Sequence, residues 1–187
     1  WILTNIHNFM DDTVAYKDNM TYKQLFNSIL SHHDLQKFGD FLCKKFPNDT
    51  QTYCFEMCSL FNRIIVKYNI PTLFLLAAFS STNEYDIHKY VLQNEINQYG
   101  NIKLLQKIND IHSVNDINKF IRKMVKMDGF FEGVVIKLNS KRIKIKNPDF
   151  TIFSIAKYRG WTGIKRNSLS ESIMEKLKDL VSPSEFS

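Results

Sequence analysis

Three cations at alternate positions, and two carboxylates upstream of them, are the residues of this chain best placed by type and spacing to do chemistry. In Arg142-Ile143-Lys144-Ile145-Lys146 a strand would put Arg142, Lys144 and Lys146 on one face and the two isoleucines on the other. The isoleucine face is expected to meet a core, and the cationic face to look into solvent or a cleft. Just before it runs Phe131-Glu132-Gly133-Val134-Val135-Ile136, where Glu132, Val134 and Ile136 would share a face. Glu132 stands at the start of that run beside Gly133, a residue that lets backbone approach a ligand closely. Glu56 lies in an earlier strand-like run, Tyr53-Cys54-Phe55-Glu56-Met57, followed by Asn62-Arg63-Ile64-Ile65-Val66-Lys67-Tyr68. Aligned ammonium groups of this kind select phosphate; a solvated surface hairpin is the plainer alternative.

The charge distribution sharpens that reading. The 187 residues hold 25 basic and 19 acidic side chains, a net of +6. Residues 1–136 carry 14 bases and 14 acids, whereas residues 137–166 carry nine bases and one acid, Asp149. The excess of one 30-residue stretch points to nucleic acid or nucleotide as partner. Within it Tyr158 and Trp161 alternate with Lys157, Arg159, Lys165 and Arg166, and aromatic rings among cations can stack on bases. The same rings could instead be core contacts with the cations as solvated neighbours.

These side chains need a scaffold, and its elements are written in the periodicities. Residues 21–31 and 33–46 carry apolar residues at helical spacing, closed by Pro47-Asn48-Asp49. Thr52–Met57, Arg63–Tyr68 and Leu73–Phe79 read as three strands rich in β-branched and aromatic residues. Residues 85–98, 101–110 and 114–127 read as helices, the last with Ser113 and Asp116 at its start and Gly129 after its end. Glu132–Leu138 and Arg142–Lys146 form a strand pair around Asn139-Ser140-Lys141. Residues 150–158 fit helix or strand, and 168–181 fit a helix with Ser168 and Glu171 as a capping box. The economical fold class is α+β in one domain, with helices inserted between strand pairs.

Composition narrows the class further. With 44% hydrophobic and 24% charged residues, the chain is not disordered, collagen-like or a coiled coil. The longest strongly apolar run, Leu73–Phe79, is far too short to span a bilayer, so no membrane partner is expected. Cys43, Cys54 and Cys58 are too few for a disulfide framework, which favours a reducing, intracellular compartment, the cytoplasm first. Cys54 and Cys58 lack the second pair that structural zinc wants. His32-His33 read as a cap or surface pair, and His7, His88 and His112 are isolated. Neither G-x-x-x-x-G-K-[ST] nor G-x-G-x-x-G occurs.

Taken in order, the three motif segments resemble the covalent nucleotidyltransferase superfamily, and within it the phage- and fungal-type ATP-dependent RNA ligases that repair tRNA. Phe55-Glu56 with the NRIxVxY segment is similar to motif III, Glu132-Gly133-x-Val135 to motif IV, and Lys144-x-Lys146 to motif V. The resemblance spans about residues 1–160. It implies a nucleotidyltransferase (ATP-grasp-like ligase) fold of antiparallel sheets with flanking and inserted helices. It also implies a partial adenylation domain over 1–166 and a helical extension over 167–187.

By the same resemblance Glu56 would hydrogen-bond the adenosine ribose, and Glu132 would help hold Mg²⁺ or Mn²⁺. Lys144 and Lys146 would be catalytic, neutralising charge on the α-phosphate of ATP. Arg142, Lys157, Arg159, Trp161, Lys165 and Arg166 would contact RNA ends. Nucleotidyl transfer leans on positioned cations and metal more than on proton chemistry. No K-x-[DN]-G string stands ahead of the Glu56 segment, where the resemblance places motif I. Lys17-Asp18-Asn19-Met20 is the nearest string and lacks the glycine, so Lys17 reads better as a loop lysine. The nucleophilic lysine is expected upstream of Trp1 or on a second chain. A ligase-derived module that binds RNA or nucleotide, or serves assembly, stays open beside the working ligase.

Overall fold

The computed structural model describes residues 20–50, 52–61, 65–66, 68–138, 141–159 and 171–178. The protein is α+β and packs as two compact units. The first runs to Lys107, and the second from Ile108 onward, with the short segment around Ile65 belonging to the second.

In the first unit two helices, α1 (Tyr22–Ile29) and α2 (His32–Lys45), cover a sheet. Each begins where a hydroxyl can satisfy an orphan backbone N–H. Thr21 and Gln24 form a reciprocal capping box, and the Ser31 hydroxyl accepts from the Asp34 N–H at 3.1 Å. The sheet is centred on β2 (Thr72–Phe79), which pairs antiparallel with β1 (Thr52–Cys58) and β3 (Glu84–Tyr85) and parallel with β4 (Ile102–Leu104). An unbroken apolar run suits a strand flanked on both edges. Leu25, Phe26, Ile29, Phe38, Leu42 and Phe46 from the helices meet Leu73, Leu75 and Ala78 from β2 in one core. The ring of Phe38 lies 5.3 Å from Tyr99 and 6.1 Å from Phe55, centroid to centroid.

The stretch between Glu84 and Asp110 departs from the expected pair of helices, because side chains there supply partners that periodicity does not show. The Asp86 carboxylate accepts from the His88 N–H, opening α3 (Ile87–Tyr90), and the chain is extended again at Val91 and Leu92. The Glu95 carboxylate then accepts from the Leu92 N–H at 2.9 Å, starting α4 (Gln93–Ile96). The same carboxylate is paired with Lys45 of α2. Residues 102–104 become β4 rather than helix. Their carbonyl and amide groups on one edge meet the Gln93 side chain, at 3.0 Å to the Ile102 oxygen and 2.8 Å to the Leu104 nitrogen. On the other edge they meet β2. Asn101 locks the entry, its side-chain amide donating to the Pro71 carbonyl and the Thr72 hydroxyl. Gly100 precedes it at φ 120°, with the Ile29 carbonyl oxygen 2.6 Å from where a Cβ would sit. Glycine is required there by conformation and by space.

The second unit is built from α5 (Val114–Met127), the hairpin of β5 (Gly133–Leu138) and β6 (Lys141–Lys146), α6 (Pro148–Arg159) and α7 (Glu171–Lys178). Residues 150–158, open between helix and strand in the sequence, are helical. Phe150, Phe153 and Ala156 of α6 are buried with Ile65 and Leu177, and Phe130 packs on Phe153 at 5.4 Å. The expected strand Arg63–Tyr68 is not formed at its described residues: Ile65, Val66 and Tyr68 lie outside any strand. Ile65 serves as a core plug instead, 1% exposed. Asn62, Arg63, Ile64 and Lys67 lie outside the described residues, as does Ser168 of the expected capping box.

Phe38→Ala is expected to lower stability by about 3–5 kcal/mol, the range for removing a large buried ring. Urea titration followed by near-ultraviolet circular dichroism reads this, and a loss under 1 kcal/mol would contradict the packing described.

Candidate phosphate-binding hairpin

Strand parity places the cations. In the β5–β6 register Gly133 faces Lys146, Val135 faces Lys144 and Lys137 faces Arg142. Directly opposed residues share a face, so Arg142, Lys144 and Lys146 form one cationic face as expected, and Lys137 joins it. Val134, Ile136, Ile143 and Ile145 form the other. That second face is only partly covered: Ile145 is half-buried, whereas Ile143 is 48% exposed. The expectation that both isoleucines meet a core fails at Ile143.

Simple alternation would send Glu132 to the apolar face with Val134 and Ile136, and here the structure corrects the sequence reading. Lys144 Nζ donates to Glu132 Oε1 at 2.5 Å, so the carboxylate serves the cationic face. The cause is Gly133, whose φ of 143° breaks the alternation. A Cβ added there would fall onto the Ile145 carbonyl oxygen and lie 2.9 Å from Lys146 Cα. No residue with a side chain fits, so the Glu-Gly pair is a geometric unit. Both partners of the ion pair are about half exposed, and such a pair adds about 0–1 kcal/mol at most. Its position, rather than its strength, is what matters.

Asn147 fixes that position, and sequence reasoning missed it. Among the described residues it is one of few buried polar ones, 3% exposed. Its side-chain amide donates to the Phe131 carbonyl at 3.0 Å, and its backbone N–H donates to the Glu132 carbonyl at 2.8 Å. Its side-chain oxygen accepts from the Asp149 N–H at 3.2 Å, capping α6. One residue therefore clamps the backbone that carries Glu132 and starts the helix whose face fills the core. The signal in the sequence was Asn147-Pro148-Asp149, an N-cap string directly after the cationic strand.

Glu56 belongs to the first unit. It is exposed on β1, opposite Phe74, while Tyr53, Phe55 and Met57 turn the other way and pack on the core. Burial, with the Cys43 thiol beside it, pushes the Tyr53 hydroxyl up to about 12, so this neighbour stays neutral at physiological pH. Lys157 and Arg159 lie on α6 by backbone alone, and Trp161, Lys165 and Arg166 lie outside the described residues, as does Lys17. Cys54 and Cys58 both fall in β1. Among the described residues no three His, Cys, Asp or Glu side chains come together as a metal cluster. No described helix is long and apolar enough to cross a membrane.

Gly133 thus holds the Glu132 carboxylate against a row of cations. Residues 3–150 match the family model described as RNA ligase, of the phage type. The chain belongs to this RNA ligase family. The matched span contains Glu56, Glu132, Lys144 and Lys146 and ends at the third residue of α6. No curated protein and no solved structure matches the chain.

Two substitutions separate the duties of Asn147. Asn147→Asp keeps the oxygen that caps α6 and loses the donor to Phe131, whereas Asn147→Ala loses both. We expect each to cost about 1–3 kcal/mol for the unpaired carbonyl, with helix content by far-ultraviolet circular dichroism falling only in Asn147→Ala. Equal helix loss in the two would contradict the division.

Proposed function

We propose that the chain forms the adenylate and phosphate pocket of an ATP-dependent RNA ligase of nucleotidyltransferase fold. The observation that carries the reading is Glu132, turned by Gly133 onto the face of Lys144 and Lys146, in a member of the RNA ligase family.

The chemistry is nucleotidyl transfer. A lysine Nζ attacks the α-phosphorus of ATP, a P–N bond forms and pyrophosphate leaves. An RNA 5′-phosphate oxygen then takes the AMP, restoring the lysine. A 3′-hydroxyl finally attacks that 5′-phosphate, and AMP leaves as the strand is sealed. Each step gathers negative charge on a phosphate, and Lys144 and Lys146 would offset it.

Glu132 fits a divalent cation of the magnesium kind, which takes one or two carboxylates and fills its remaining positions with water and phosphate oxygens. When bound, Mg²⁺ or Mn²⁺ supplies charge neutralisation at the phosphates. Lys144 meets the carboxylate in this structure, and a phosphate drawing Lys144 away would leave Glu132 open. The nucleophilic lysine is proposed to come from outside these 187 residues, since no K-x-[DN]-G string precedes the Glu56 segment; Lys126-Met127-Asp128-Gly129 has the letters but follows it, out of the family's order. That same lack favours a second reading, a ligase-derived module that holds RNA or nucleotide without catalysis.

The test is covalent labelling. The native gene product or intact complex is incubated with α-labelled ATP and Mg²⁺, denatured and resolved by mass. We expect label on a polypeptide carrying sequence beyond these residues, none on the isolated 187-residue chain, and about 10²-fold less on Lys146→Ala. Label on the isolated chain would refute the external lysine. No label on any species of the intact material would establish the binding module instead.

A further inference from the structure

Helix α5 carries a second cationic surface that the charge averages hide. Lys119, Arg122, Lys123 and Lys126 fall at i, i+3, i+4 and i+7, which is one face of an α-helix. All four are exposed. The opposite face, Ile117, Phe120, Ile121 and Met124, is buried or half-buried, and the Phe120 ring meets Phe131 at 6.1 Å. So the helix is anchored by one face and presents the other.

Within the helix one acid lies in reach of the stripe: Asp116, whose carboxyl is held below its usual range chiefly by the Ser113 hydroxyl and in small part by Lys119. Asp116 is engaged at the N-terminus, where its carboxylate accepts from the Ser113 hydroxyl at 2.8 Å and its backbone N–H is capped by the same hydroxyl. Among the described residues Arg122, Lys123 and Lys126 have no ion-pair partner. Like charges at i,i+3 and i,i+4 weaken a helix, and this face holds four such pairs. The helix dipole favours a cation only in the last turn, which accounts for Lys126 and not for the other three. A solvated face with no task would mix signs; this one holds a destabilising single-sign row.

We propose that the exposed face of α5 binds the sugar-phosphate backbone of RNA, as a positioning surface separate from the hairpin that handles the reacting phosphate. The inference rests on the RNA ligase reading for the identity of the polyanion. The row is about 10 Å long, from 1.5 Å rise per residue, enough for two or three successive phosphates. Three lysines and one arginine, with no aromatic on the exposed face, fit backbone contact and carry no base reading.

The test is the salt dependence of RNA binding by the chain. Each phosphate neutralised on a single strand adds about 0.7 to the slope of log K against log salt. The variant Lys119→Gln/Arg122→Gln/Lys123→Gln/Lys126→Gln keeps good helix formers and removes four charges. We expect its slope to be shallower than the parent's by about 2–3, with magnesium-ATP binding unchanged. A control removes four exposed lysines of the other unit, by Lys23→Gln, Lys37→Gln, Lys44→Gln and Lys103→Gln. It should leave the slope within about 1 of the parent. A slope unchanged in the α5 variant, or reduced equally in the control, would overturn the assignment. A parent chain that binds ATP but not RNA would overturn it too while leaving the nucleotide pocket standing; one that binds neither would overturn both.

Discussion

The organisation of the second unit turns on the impossibility of a side chain at residue 133. The backbone there passes so close to the Ile145 carbonyl that only hydrogen fits, and its positive φ is one that L side chains avoid. Because of that turn Glu132 is delivered to the cationic face instead of the apolar one. The ion pair with Lys144 follows, and so does the need for Asn147 to hold the displaced backbone from its other side. What would otherwise be a ribbon with one charged and one oily face becomes a ribbon whose charged face includes an acid at its end.

Much of this was legible in the sequence and some was not, for reasons that differ by residue. Helices α1, α2 and α5 were readable because cap, periodicity and length agree; Ser113 and Asp116 mark the start of α5 in sequence and in space. The hairpin was readable because Arg142-Ile143-Lys144-Ile145-Lys146 alternates without exception. The run from Glu84 to Asp110 was not, because its fate is set by Asp86, Gln93 and Glu95, side chains that bond backbone two to eleven residues away and replace two expected helices with short helical turns and a strand. Ile65 was misread as part of a strand because a β-branched run fits a core plug equally well.

The candidate site shows the same division. Residue types, spacing and the resemblance to ligase motifs picked out Lys144, Lys146 and Glu132, and the structure brings Glu132 and Lys144 into contact. The face on which Glu132 emerges could not be read, because parity assumes ordinary φ values and Gly133 does not have one. The stripe on α5 was invisible for a statistical reason. Fourteen acids balance fourteen bases over residues 1–136, and the sum conceals a helix on which the bases stand together.

Asn147 has a consequence for how this molecule can change. The Glu132 side chain contributes little to holding its own backbone; the two hydrogen bonds from Asn147 do that work, one from a side-chain amide and one from a main-chain N–H. Scaffold and reagent are therefore written by different residues. A lineage, or a protein engineer, can exchange the acid at 132 for another group and keep the shape of the ribbon's end, so this corner of the protein is a socket in which new chemistry can be tried without rebuilding the wall around it.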